Sequence, residues 1–433
     1  MSVHHRPVLW MAIVCMTALA LTSCRSDSSD VVSPTAPAFT PTRVERSSDG
    51  ILRLGVLVPL TDEQAPFGPP LVPVLEAVVR IINSFGGYEG KDIELVFRDE
   101  GSNLNEAQRS TNTLIVTDQV DAVVGPFSSL NAPGVIPSLI SAGVGVCSPT
   151  ASSQLLDAID DDGLFIRTAT LDSVILENMV ELAVQSGSEQ VALAYPDDPY
   201  GRALARVLRN ELNLRQLNVV STIPYAIGAG DYQDTAAQMA AGSSSVKIII
   251  GEPIDGPRFL NAVVNASGKS VIITNDGLVN AEVIFDPEIS PNLRPRVFGF
   301  VTNGNAGGNE LLNVLRVTDR EFPKDITLLP EFAVNTVDCL ILFWLAALTA
   351  ESDIAQDFKS EILRVANEGS SCLWIADCKS SVDEGLNIDF QGINGLTLDE
   401  SGNAVDRSTL VLEFDADGRA QIVQGLPNVT LTG

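Results

Sequence analysis

Histidine is almost missing from this chain: of 433 residues only His4 and His5 are histidine. A product cut anywhere between these and the folded body would contain none. That excludes a Ser-His-Asp triad, a histidine general base and histidine metal ligands, the commonest tools of hydrolytic and metal catalysis. Positive charge is also scarce. Lys and Arg number 27 against 55 Asp and Glu, a formal net charge of −28, which argues against nucleic acid or anionic head groups as partners. It says little about small ligands, because exposed charges more than about 8–10 Å from a site are screened at physiological salt. No run of apolar residues near the N-terminus is long enough to span a bilayer comfortably; Pro7–Leu21 falls short.

That run follows His4, His5 and Arg6, the arrangement of a secretory signal. It ends Leu21-Thr22-Ser23-Cys24, which resembles the lipobox of bacterial lipoproteins and implies lipidation at Cys24 as the new N-terminus. Segment 25–50, rich in Ser, Thr and Pro, has too few large apolar residues to fold and reads as a tether. The body is therefore expected outside the cytoplasm, held at a membrane by its lipid alone.

Cysteine is sparse as well. Cys372 and Cys378, close together in SCLWIADCK, are expected to pair in an oxidising compartment, a bond worth roughly 2 kcal/mol for so small a loop. Cys147 and Cys339 lie in the apolar runs GVGVCS and VDCLILFW and read as buried thiols.

From Ile51 onward short β-rich runs (ILRLGVLV, DIELVFRD, DAVVG, GVGVC) alternate with amphipathic stretches near 70–83, 105–117 and 131–141. The rhythm resumes with QVALAY, VVSTIPY, VKIIIG and SVIITN, separated by helical patterns near 173–186, 199–214, 232–241 and 256–266. After VFGFV come three helical stretches, including 332–349, and a β-rich tail with LVLEFDADG. This predicts two α/β lobes, each a parallel sheet with helices on both faces. Such sheets bind ligands beyond the carboxyl ends of their strands. Ser128 and Ser129, after DAVVG, and Thr150 to Ser153, after GVGVC, stand at such ends, either as ligand donors or only as helix caps. SGKS lacks the first glycine of a phosphate loop, and no Gly-x-Gly-x-x-Gly follows the first strand. Asp160–Asp162 and Asp415–Asp417 read as acidic turns, and Phe343 and Trp344 as core.

The segments LGVLVPLTDEQAPFG, INSFGGYEGKDIELVFRDEGSNLNEAQ, VDAVVGPFSS, CSPTASSQL and YPDDPYGRALA, in this order, resemble the type I periplasmic binding proteins, and within them the leucine/isoleucine/valine-binding branch that serves amino-acid ABC transporters. The resemblance runs from about Ile51 to about Gln424, and the cysteine-bearing tail is similar to that of one bacterial subset. It implies doubly wound parallel-sheet lobes joined by three crossovers, with 51–168 and 301–388 in the first lobe and 169–300 and 389–433 in the second, a Venus flytrap closing on a small ligand, with no cofactor, no metal and no catalysis. Matched residue by residue, Ser129 meets the ligand carboxylate, Ala151 and Ser152 add contacts, Tyr200 and Phe67 supply aromatic walls, and Asp276 pairs with an ammonium group. Phe127 could join the apolar wall. Where the family offers an aromatic, this chain has Glu252, either a second acid for a cationic or amide ligand or a solvated rim residue. Two functions fit: delivery of an amino acid or similar polar solute to an ABC permease, or sensing of that ligand for a membrane partner without transport.

Overall fold

The computed structural model describes residues 47–61, 68–242, 244–251, 255–279, 285–302, 308–330, 332–393, 395–405 and 409–423, all within one unit, Pro41–Gly433. Phe67, Glu252 and Cys24 lie outside the described residues.

The first stretch runs β1 (Arg53–Val58), α1 (Val72–Ser84), β2 (Glu94–Asp99), α2 (Leu104–Val116), β3 (Ala122–Val124), α3 (Ala132–Ser141), β4 (Gly145–Ser148) and β5 (Phe165–Arg167). The second runs α4 (Asp172–Gln185), β6 (Gln190–Pro196), α5 (Pro199–Leu214), β7 (Asn218–Tyr225), α6 (Gln233–Ala241), β8 (Val246–Ile249), α7 (Gly256–Ser267), β9 (Val271–Asn275) and β10 (Val297–Thr302). The chain then returns through α8 (Gly308–Thr318), α9 (Ala333–Ala350), α10 (Ala355–Asn367), β11 (Ser370–Cys372), α11 (Ile375–Asp383), β12 (Ile388–Phe390), β13 (Thr397–Leu398) and β14 (Ala404–Val405), and ends in β15 (Thr409–Phe414) and β16 (Ala420–Val423).

The first sheet has the order β2-β1-β3-β4-β5, all parallel. The second has β16-β15-β10-β9-β8-β6-β7, so β7-β6-β8-β9-β10 repeats the same 2-1-3-4-5 winding and β15 and β16 extend it antiparallel. The chain passes between the sheets three times: after β5, after β10, and between β14 and β15.

Physical pattern explains the layers. β1 (RLGVLV) is buried at all positions but its first, without alternation, because helices cover both its faces. α1 buries Val74, Leu75, Val78, Ile81 and Ile82 as one stripe, each contributing about 1.5–3 kcal/mol when fully removed from water. It packs with α9 on one side of the first sheet, while α2 and α3 pack on the other. In the second sheet α4 and α5 cover one face, α6 and α7 the other. By length and composition α9 could cross a membrane, yet 83% of it is buried within the protein. It is the central core helix, with Phe343 and Trp344 fully enclosed and the Trp344 indole donating to the Gly87 carbonyl at 2.9 Å.

Two boundaries and one cysteine reading differ from expectation. Asp49 and Gly50 donate their N–H groups to Asp353, so the tether ends before residue 49. The chain beyond 388 does not go at once to the second lobe: Phe390, Leu396, Leu398 and Ala404 pack into the first core, and the second sheet is regained at β15. Finally, Cys147 and Cys339 are not thiols. They are bonded to each other across 192 residues, with Cα atoms 5.6 Å apart, clamping β4 to the core helix that returns from the second lobe. Apolar surroundings alone do not separate a buried thiol from a buried disulfide. Cys372 and Cys378 are joined as well, Cα atoms 5.2 Å apart.

The two bonds differ in the loop they close, so by chain entropy the long one is worth about 5 kcal/mol against about 2 for the short one. Urea unfolding of C147A/C339A is expected to show the larger fall in midpoint, C372A/C378A the smaller. Equal midpoints for the two variants would contradict this.

Candidate functional site

The 2-1-3-4-5 winding places a crevice where strand order reverses, between β1 and β3 in the first sheet and between β6 and β8 in the second. The turn after β3 is built for close approach. Gly125 has φ +120, and a Cβ there would lie 2.2 Å from the Leu57 carbonyl oxygen of β1, so only glycine fits. Beyond it, the N–H groups of Phe127 and Ser128 donate to the two oxygens of Glu100, at 2.7 and 3.1 Å, and Asn131 Nδ2 adds a third bond at 3.2 Å. Glu100 is wholly buried. Burial pushes its carboxyl up to about 7, against the pull of these three donors.

Glu100 therefore takes the amides that a ligand carboxylate would otherwise meet, and this divides the two serines. Ser128 Oγ accepts from the N–H groups of Leu130 and Asn131, at 3.2 and 3.4 Å: it caps the turn into α3. The half-buried Ser129 hydroxyl has no hydrogen-bond partner among the described residues. It is the free donor.

The turn after β4 is stitched to this one. Ser148 Oγ donates to the Pro126 carbonyl at 2.6 Å and accepts from Ala151 N–H at 2.9 Å, while Thr150 Oγ1 donates to the Phe127 carbonyl at 2.6 Å. Ala151, fully buried, has thus already spent its N–H. The half-buried Ser152 accepts at its carbonyl from Asp172 N–H at 3.2 Å. Phe127 is almost buried in the first core.

Asp172, the first residue of α4, was not foreseen. It stands where the chain leaves the first sheet for the second, and is 5% exposed. Tyr200 of α5, in the second lobe, donates its hydroxyl to Asp172 Oδ1 at 3.2 Å. The other oxygen, Oδ2, is buried with no hydrogen bond. Burial raises this carboxyl to about 6, opposed by the nearby hydroxyls of Ser152 and Tyr200 and by the charge of Arg167. Arg167 itself is locked by Asn403 Oδ1 at 2.8 Å, the Ser153 carbonyl at 2.9 Å and Asp157. An acid in the first turn of a helix is an ordinary partner of the helix dipole, so only the apolar flanks of TATLDSVIL hinted at its burial.

In the second sheet, Asn275 ties the ends of β8 and β9 together, accepting from Gly251 N–H at 2.8 Å and donating to the Gly251 carbonyl at 3.1 Å. Half-buried Asp276 follows it directly. Asp255 anchors the base of α7 through Tyr225, Tyr232 and Gly228.

Tyr200 and Ser152 thus meet on one residue, the first at the Asp172 carboxyl and the second at its backbone N–H, from ends of β6 and β4 in different sheets. The β3 turn carries an unengaged hydroxyl, and one oxygen of the Asp172 carboxyl is buried without a hydrogen bond. The arrangement can hold a polar solute at both of its ends. It contains no nucleophile paired to a base.

The family model described as "Periplasmic binding protein" matches residues 51–274. Among curated relatives, a Leu/Ile/Val-binding protein homolog of Brucella melitensis is 25% identical over 232 residues, 53% of this chain and 62% of the relative. An amino acid binding protein of Pseudomonas aeruginosa is 25% identical over 234 residues, 53% of this chain and 62% of the relative. The matched region spans about three fifths of those relatives' length. Among solved structures, the branched-chain amino acid transporter substrate binding protein LivJ from Streptococcus pneumoniae, in complex with isoleucine, superposes with a TM-score of 0.65 at 20% identity, covering 86% of this chain and 99% of that one. A solute binding protein from R. palustris in complex with benzoate gives 0.65 at 16% identity, covering 86% and 96%. By fold and by family model, this chain belongs to the periplasmic binding proteins of type I, a family of binding proteins and not of enzymes.

Proposed function

We propose that this protein is an extracytoplasmic solute-binding protein that grips an amino acid between its lobes and hands it to an ABC permease, anchored to the membrane by lipid on Cys24. One observation carries the ligand class: Asp172 Oδ2, buried and without a hydrogen bond at the first crossover. An ammonium group there forms charge-assisted hydrogen bonds to the carboxylate, and the free Ser129 hydroxyl faces the ligand's other end. Benzoate, bound by one structural relative, has no donor for that oxygen; isoleucine, bound by another, does. Asp276, and Glu252 outside the described residues, are further acids for the ammonium or for a polar side chain; Tyr200 is the proposed aromatic wall, with Phe67, also outside the described residues, assigned to it by the family match alone. Closure is population shift, the ligand's contacts with both lobes favouring the shut state. We take the lobes as 49–168 with 308–405 and 169–302 with 409–423, a division that the two sheets support. A sensor of the same fold would use the same grip; permease and ATPase genes found beside this one would favour transport, and their absence sensing.

Calorimetry of the full chain against a panel of amino acids, amides and urea is expected to find at least one ligand. Asp172→Asn then weakens it by a few kcal/mol, since a buried ammonium loses its partner, and Ser129→Ala by about 1 kcal/mol. The same test applies to Asp276→Ala, where a loss under about 0.5 kcal/mol removes that residue from the grip. Failure of the whole panel against folded protein would overturn the reading.

Acidity provides a second test. Binding an ammonium needs Asp172 ionised, so affinity falls about tenfold per pH unit below about 6 and is flat above. Asp172→Asn is expected to lose that slope; a slope retained in the variant contradicts the assignment.

Without ligand the sign reverses. Glu100 holds its proton up to about 7 when folded but ionises near its ordinary value when unfolded. Its stability contribution is full below about 4.5 and is lost as pH rises towards about 7, a few kcal/mol at about 1.4 per unit. Urea midpoints measured between these pH values should fall in the native chain and fall less in Glu100→Gln.

A further inference from the structure

On α5 a group of arginines lies apart from the grip. The helix reads PYGRALARVLRNELNL, and Leu204, Ala205, Leu208 and Leu212 bury its inner stripe against the second sheet. Arg202, Arg206 and Arg209 stand four and three residues apart, which places them on one face, and all three are exposed. With Tyr195 of β6 and Thr222 of β7 they line a cleft of about 320 Å³ beside the outer edge strand of that sheet.

Two of the three lack a carboxylate partner among the described residues, in a chain rich in acids. Acids outnumber bases 55 to 27, and Arg53, Arg80, Arg98, Arg215 and Arg364 each have a carboxylate partner. Arg202 has Asp197 at 2.7 Å. Arg206 and Arg209 have neither ion pair nor hydrogen bond among the described residues. The one acid of the helix, Glu211, is two residues from Arg209 and so points elsewhere. Three like charges on one face repel, and carboxylates to neutralise them are plentiful, yet two are left open into a concave surface. Guanidinium presents a planar fork of donors matched to tetrahedral oxyanions, and the Thr222 hydroxyl adds another donor to the lining.

We propose that this cleft is a second binding site, for an oxyanion of the phosphate class presented either free or as a lipid headgroup, a local exception to the acidic balance of the chain. None of its residues holds Asp172 or the Ser128 turn, so it stands or falls independently of the amino-acid grip.

The test is calorimetry of the full chain with pyrophosphate, and flotation with phosphatidylcholine vesicles with and without phosphatidylglycerol, each repeated on R206Q/R209Q. Thermal unfolding establishes that the variant is folded. Saturable pyrophosphate binding, weakened at least tenfold in the variant and by added salt, supports a free anion. Enrichment on phosphatidylglycerol vesicles over phosphatidylcholine alone, lost in the variant, supports a headgroup. Equal binding by both proteins overturns the proposal, as does absence of both signals up to millimolar ligand.

Discussion

A carboxyl group buried without enough donors is costly, and Asp172 is placed where that cost is useful. One of its oxygens is served by Tyr200 of the second lobe, and its own backbone N–H binds Ser152 of the first. The remaining oxygen is empty of protein donors. Under the proposed function a solute with an ammonium group completes the set, and because partners come from both lobes, completing it favours their approach. The protonation behaviour follows from the same fact: burial lifts the carboxyl, and a cation brings it down again.

The rest of the fold delivers residues to that point. Two sheets wound in the same 2-1-3-4-5 order present their carboxyl-end turns at matching places, so the useful groups fall after β3 and β4 in one lobe and after β6, β8 and β9 in the other. Glu100 and Ser148 do the quiet work of shape. The first consumes the amides at the start of the α3 turn, and the second binds neighbouring turns together. What remains available to a ligand is selective because so much else is already bonded.

Much of this could be read from residues alone. Apolar runs with β-branched residues gave strands, stripes at helical spacing gave helices, and their alternation gave parallel sheets, because these patterns reflect local burial. The turns after β3 and β4 were found by the same logic. Pairings across the fold were not readable. Cys147 meets Cys339 only because α9 returns beneath β4, a contact across 192 residues. Ser128 and Ser129 are indistinguishable in sequence, yet one holds the turn before α3 and the other has no hydrogen-bond partner among the described residues. Asp172 looks like any first-turn acid until the crossover buries it, and the segment 389–405 turns back to the first core through Leu396 and Leu398, whose destination no periodicity encodes.

The central claim is that an ionised Asp172 receives the ligand's ammonium group. Proton release on binding tests it most directly: calorimetry at roughly pH 5 in buffers of different ionisation enthalpy, repeated near pH 8. Release of a large fraction of one proton at the acid pH and almost none at the alkaline one is the predicted result. Equal proton exchange at both, or none at either, would contradict the account.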